Sequence, residues 1–300
     1  MDSQSAPLPD KSLPSPAAVL ELFKPVTWFP PMWAFACGVV SAGVAPLDHL
    51  LTIFLGVLLT GPLVCATSQA VNDWYDRHVD AINEPLRPIP SGRIPGSWGL
   101  YIGIIWTCVS LLVASFLGPV VFVAAIVGLV LAWIYSAPPL RLKQNGWFGN
   151  AACGACYEGL PWITGAAVML GGRLPDTRIL MVAALYSVGA HGIMTLNDFK
   201  SIEGDTQLGL KSLPVQLGAE RAARLACWVM ALPQLVVVWF LWTWDRPLTL
   251  LFVGAALVAQ LFFMRKLLSD PRKFAPWYNA TGVSLYVFGM MATAIALRSL

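Results

Sequence analysis

Two short acidic clusters stand out in an otherwise apolar chain. The first is Asn72-Asp73-Trp74-Tyr75-Asp76-Arg77-His78-Val79-Asp80, and the second is Asn197-Asp198-Phe199-Lys200-Ser201-Ile202-Glu203-Gly204-Asp205. Each opens on Asn-Asp-aromatic and ends on an Asp eight residues after the Asn. On a helix, Asp73, Asp76 and Asp80 are spaced three and four apart and share one face, with Asn72 one turn before Asp76. Three carboxylates on one face repel one another unless a cation compensates. Oxygen-only donors without a thiolate select a hard ion, and Mg²⁺ bridges carboxylates to substrate phosphates while retaining water. Carboxylates this close to lipid are costly and mark function. The pattern points to Mg²⁺ held against a diphosphate.

Basic residues flank both clusters. Arg87 and Arg93 follow the first, Arg141 and Lys143 lie in the next polar loop, and Lys200 and Lys211 bracket the end of the second. Arg offers a planar fork to phosphate oxygens, and Lys offers a mobile point charge. Acids for a metal beside bases for phosphate describe a polyanion site.

The elements that must position these groups are membrane helices. The 300 residues are 57% hydrophobic and only 12% charged, with mean hydropathy +0.67, against about 25% charged in soluble domains. Apolar runs at 28–46, 49–71, 97–117, 119–136, 150–171, 178–197, 222–243, 247–265 and 276–297 predict an all-α membrane protein of nine transmembrane helices around a central cavity. Alternating the spans leaves only Arg173, Arg178, Arg246 and Arg298, of 19 Lys and Arg, on one side. The positive-inside bias then places the other side, the amino terminus and both acidic clusters in the cytoplasm. Trp28, Trp98, Trp147, Trp244 and Trp277 fall near span ends, as interface belts do.

Residues 1–24 read as a polar, Pro-rich tail, with Ala17 to Lys24 forming a short surface helix. Residues 25–300 read as one transmembrane domain of two half-repeats, about 28–148 and 150–265, plus a last helix. Each acidic cluster follows an even-numbered span, so the repeat is parallel about the membrane normal. The six cysteines, Cys153-Gly-Ala-Cys156 included, read as reduced packed thiols. A net charge of +3 without a basic, aromatic-interleaved tract gives no nucleic-acid partner. A secondary transporter is the rival from another class, but its acids belong near the bilayer midplane and not at helix ends. A pigment-carrying assembly protein is a third reading.

The pattern from Asn72 to Asp80, with its second copy four spans later, resembles the aspartate-rich motifs of the UbiA superfamily of membrane prenyltransferases. More narrowly, Asn72 to Asp76 with Ile82-Asn83-Glu84-Pro85 and Arg87-Pro88-Ile89-Pro90-Ser91-Gly92 resembles chlorophyll and bacteriochlorophyll synthases. So do Tyr135-Ser136-Ala137-Pro138-Pro139 and Leu142-Lys143-Gln144-Asn145-Gly146-Trp147. Cys156-Tyr157-Glu158-Gly159-Leu160-Pro161-Trp162 leans towards the bacteriochlorophyll branch. The resemblance implies a multi-pass protein of the inner or intracytoplasmic photosynthetic membrane, its active site facing the cytoplasm. It implies Mg²⁺ as cofactor, geranylgeranyl or phytyl diphosphate as donor, and esterification of the propionate carboxylate of bacteriochlorophyllide a. Chlorophyllide or another aromatic acceptor is the alternative within the class.

By position, the resemblance makes Asn72, Asp76 and Asp80 metal ligands of the first motif. In the second motif Ser201 stands where the commoner first Asp would fall, leaving Asp205 and, one turn earlier, Asp198 as ligands. Asp76, Asp80, Asp205 and Lys143 are the expected catalytic set, with Arg87, Arg141, Lys200 and Lys211 as substrate contacts. Tyr135, Trp74 and Phe199 either face an allylic cation or pack in the core. Glu158, inside a span, either hydrogen-bonds a polar substituent of the macrocycle or pairs with another helix. His191 either ligates the tetrapyrrole magnesium or packs.

Overall fold

The computed structural model describes residues 13–300, and among them every regular element is helical. The predicted tail over 1–12 lies outside the described residues. The helices in order are α1 (Pro16–Leu22), α2 (Phe29–Ser41), α3 (Pro46–Asn83), α4 (Trp98–Phe116), α5 (Pro119–Ser136), α6 (residues 146–169), α7 (Thr177–Asn197), α8 (Ile202–Gln207), α9 (Leu213–Leu217), α10 (Ala219–Thr243), α11 (Pro247–Ser269) and α12 (Pro271–Leu297). Seven helical segments are long and apolar enough to cross a membrane: α3, α4, α5, α10, α11, α12 and the Thr177–Gln207 segment that begins with α7. The other two predicted runs correspond to α2, which is only 13 residues long, and to α6, which carries Asn150, Glu158 and Pro161.

Two of these helices widen locally. Pro62 and Pro161 each lack an amide donor, and a proline ring collides with the carbonyl four residues back. The chain relieves this with π-helical turns at Leu59–Cys65 and Ala155–Gly159. Such turns recur at functional sites because they re-aim the side chains they carry.

The helix ends gather into two faces. On one, Gly118 (φ +106) turns α4 into Pro119 at the start of α5 and lies against Gly172. Val120 N–H donates to the Gly172 carbonyl at 3.2 Å. No side chain fits there, since a Cβ on Gly118 would sit 2.5 Å from the Gly172 Cα. The opposite face carries α1, the loops after α3 and α5, and the segment from Asp198 to Leu217. Ser15 caps α1, and Leu22 and Phe23 bury themselves with Ala66, Ala70, Ile94 and Ile102. The predicted short helix is therefore docked into the fold and does not lie free on the surface.

Close backbone approach holds α2 on α6. A Cβ added to Gly38 would lie 2.0 Å from the Trp162 carbonyl oxygen, and one on Gly165 would lie 2.1 Å from that of Phe35. Small residues permit this contact, as in other membrane-helix pairs. Gly38→Ala is expected to cost about 3 kcal/mol by overpacking, read as a lower Tm in detergent. Gly254→Ala is the control, because its Cβ meets nothing within 4 Å. Equal melting of the two variants would contradict this packing.

Candidate active site

The site is built at the end of α3, where the helix runs unbroken from Ala66 to Asn83 and carries the whole first motif. The predicted single acidic face divides in two. Asp76 faces the loop after α5, with its Oδ1 3.1 Å from Arg141 Nη2 and its Oδ2 2.5 Å from Lys143 Nζ. Asp73 and Asp80 turn instead to Arg87, at 3.5 and 2.9 Å. Asp73 is 1% exposed and also accepts from Lys24 Nζ at 2.6 Å. Arg87 is further held by Glu84 at 2.5 Å. Asn72 looks inward and donates to Ser136 Oγ at 3.0 Å.

The loop that delivers Arg141 and Lys143 is shaped by its backbone. Arg141 adopts a left-handed conformation (φ +38) and reverses the chain after Pro138-Pro139. Burial pushes the Lys143 ammonium below the usual lysine range, and the Asp76 carboxylate pulls it back up. The same loop is zipped to the segment following the second motif. Lys211 N–H donates to the Gln144 carbonyl at 3.0 Å, and Gly146 N–H donates to the Lys211 carbonyl at 2.8 Å. Leu210 N–H in turn donates to the Asp205 carbonyl at 2.8 Å. Hydrogen bonds and the peptide links Lys143–Gln144 and Leu210–Lys211 thus tie Asp76 to Asp205.

The second motif is not a helical copy of the first. Asp198 to Ser201 form a tight 3₁₀ turn before α8. Asp198 accepts from the buried Asn150 amide at 3.1 Å, whereas Asn197 Oδ1 accepts from Asn279 on α12 at 2.8 Å. Asn150 and Asn279 lie on largely apolar helices, and neither has a sequence pattern that flags it. Lys24 is likewise a site residue that no spacing reveals, 49 positions from Asp73.

Two cavities open beneath this rim. The smaller, about 180 Å³, is lined by Asn72, Tyr135, Cys153, Cys156, Tyr157 and Met194. The larger, about 510 Å³, is lined by Trp33, Tyr157, Glu158, Met194, Asn197 and Asn279 among others. Tyr157 and Met194 line both, so the two cavities adjoin at these side chains.

Several predicted residues lie outside both cavity walls, Asp76, Asp80 and Asp198 among them. Phe199 is 7% exposed and packs in the core with Leu196, Leu213 and Ala222, because the 3₁₀ turn rotates it inward. Trp74 lies under the Arg77 guanidinium, 4.1 Å from the ring, and lines neither cavity. His191 lies against Trp147, ring centroids 6.0 Å apart, and is absent from both cavity walls. Lys200 and Lys211 are exposed, and Asp205 is partly exposed on the cap.

The donor set suits a hard cation. Asn72, Asp76, Asp80, Asp198 and Asp205 present only oxygen, and no three His, Cys, Asp or Glu among the described residues form a closed metal cluster. Mg²⁺ characteristically takes one or two carboxylates and completes its shell with water and substrate phosphate, so an open arrangement fits it.

The model of the UbiA prenyltransferase family matches residues 27–290. The bacteriochlorophyll synthase 33 kDa chain of Cereibacter sphaeroides is 57% identical over 290 residues, covering 97% of this chain and 96% of that one. Chloroplastic chlorophyll synthase of Arabidopsis thaliana is 42% identical over 288 residues, covering 92% and 73%. Among solved structures, a UbiA homologue from Archaeoglobus fulgidus bound to GPP and Mg²⁺ superposes with TM-score 0.72 at 22% identity, covering 94% of this chain and 100% of the homologue.

Proposed function

The chain belongs to the UbiA prenyltransferase family, and we propose that it esterifies the propionate carboxylate of bacteriochlorophyllide a with geranylgeranyl or phytyl diphosphate, releasing diphosphate. The higher identity to the bacteriochlorophyll synthase than to the chlorophyll synthase, 57% against 42%, supports the bacteriochlorin acceptor. We also propose that α2 and α6 cross the bilayer with the seven longer segments, giving nine spans, two parallel half-repeats and a last helix. The basic loops then put the amino terminus and the site on the cytoplasmic side of the inner or intracytoplasmic photosynthetic membrane.

One observation carries the mechanism: Asp76 holds two cations, Arg141 and Lys143, one helical turn from Asn72, which lines the smaller cavity. In this reading the carboxylates of Asp76, Asp80 and Asp205, with Asn72 and Asp198, would hold Mg²⁺. When bound, Mg²⁺ supplies charge neutralisation to the leaving diphosphate. Lys143 and Arg141 exchange Asp76 for phosphate oxygens, and Arg87, Lys200 and Lys211 add positive potential around them. These groups stabilise the charge that grows on the diphosphate as the carbon–oxygen bond breaks. The apolar walls beside Tyr135 and Met194 exclude water from the resulting allylic cation. The acceptor carboxylate is already a nucleophile at neutral pH, so the reaction needs no Ser-His-Asp or Cys-His arrangement.

A donor-by-acceptor matrix tests the reading. Purified protein with Mg²⁺ is incubated with each prenyl diphosphate and with bacteriochlorophyllide a or chlorophyllide a. Esterified pigment and released diphosphate are expected in equal amounts, bacteriochlorophyllide a being the better acceptor, with no ester after chelation. A protein that binds pigment and releases no diphosphate refutes the proposal.

A further inference from the structure

The larger cavity holds a group that this mechanism does not use. Glu158 is 5% exposed, and its Oε2 is fully buried with no hydrogen-bond partner. No Lys, Arg or His pairs with it among the described residues. A lone ionised carboxylate in such surroundings is far costlier than the neutral acid, so Glu158 offers one O–H donor. It sits on the π-helical turn Ala155–Gly159, which bends it towards the cavity wall shared with Trp33 and Asn279. A purely structural carboxyl at this depth would be tied to another helix, and the unpartnered Oε2 is not.

The cavity itself resembles a ligand site. Its volume, about 510 Å³, lies within the range of about 300–1,000 Å³ usual for sites with apolar walls and a few convergent polar groups. It reaches Asn197, the first residue of the second motif, and adjoins the smaller cavity across Tyr157 and Met194.

We propose that Glu158 is a specificity-determining residue, donating a hydrogen bond from its neutral carboxyl to a ring carbonyl of the acceptor macrocycle. The inference rests on the reading above for the identity of the acceptor, but its primary test is binding without turnover. Bacteriochlorophyllide a is titrated into full-length protein without prenyl diphosphate, and the shift of its long-wavelength absorption band gives Kd. Steady-state KM values are measured for acceptor and donor separately.

Glu158→Leu is expected to raise Kd and KM for the pigment about tenfold, the worth of one buried hydrogen bond, and to leave KM for geranylgeranyl diphosphate within about twofold. Glu158→Gln keeps an N–H donor and is expected to stay within about threefold of wild type. Analogues with one ring carbonyl replaced by methylene identify the partner. One of them is expected to bind wild type as weakly as Glu158→Leu binds the parent, with no further loss in the variant. Unchanged pigment affinity in Glu158→Leu overturns the proposal, and so do equal losses for both substrates. If Glu158→Leu does not fold, the analogue series on wild type and Glu158→Gln decides, and indifference to every carbonyl overturns it. A pigment that binds in a Glu158-dependent way and is never esterified leaves this inference standing and removes the esterification reading instead.

Discussion

Asp76→Ala is expected to lower kcat about 10³-fold while the protein still folds, a loss of about 4 kcal/mol of transition-state stabilisation. Asp76 is the one acid of the first motif that faces both Arg141 and Lys143. Its side chain is 21% exposed, so its removal opens no sealed core. Asp73, three residues earlier, should behave in the opposite way. It is 1% exposed and pins Lys24, and with it the α1 segment, to α3. Removing one member of a buried ion pair leaves the other uncompensated and costs about 3 kcal/mol. Asp73→Ala should therefore lower Tm, with kcat of the folded fraction within about tenfold of wild type. Ester formation by chromatography, set against thermal melting, separates the two. Full turnover by Asp76→Ala would remove the first motif from the mechanism.

The first motif was legible because it obeys helical periodicity over a segment that is helical throughout, from Ala66 to Asn83. Hydropathy likewise located each of the long helices, since lipid leaves backbone amides no partner other than their own helix. The division of the acids between Arg87 and the Arg141–Lys143 pair was not legible. Spacing along α3 fixes which face a residue takes, but not which loop packs against it. The geometry of the second motif was not legible, for a local reason. Asn197 to Asp205 matches the first copy in residue type, yet a 3₁₀ turn at Asp198–Ser201 changes the rotation per residue. Phe199 then points into the core. The partners Asn150, Asn279 and Lys24 carry no periodic or motif signal, because each acts through a contact between segments distant in sequence.

The charge pairing at Asp76 also predicts how Lys143 behaves. Lys143 is 10% exposed and lies 2.5 Å from Asp76, whereas Arg141 is 29% exposed at 3.1 Å. Its ammonium is thus the better desolvated of the two, and electrostatic stabilisation is strongest where water is excluded. Lys143→Met is expected to lower kcat about 10²-fold. Lys143→Arg should recover only part of this, because a planar fork does not fit a cleft packed around a point charge. Groups that act on the same leaving group lose their effects together, so Asp76→Asn with Lys143→Met should be little worse than Asp76→Asn alone. Strictly multiplicative losses in this double variant would mean that the two side chains act on separate steps. The ion pair between them would then be only a structural tie of the loop after α5 to α3.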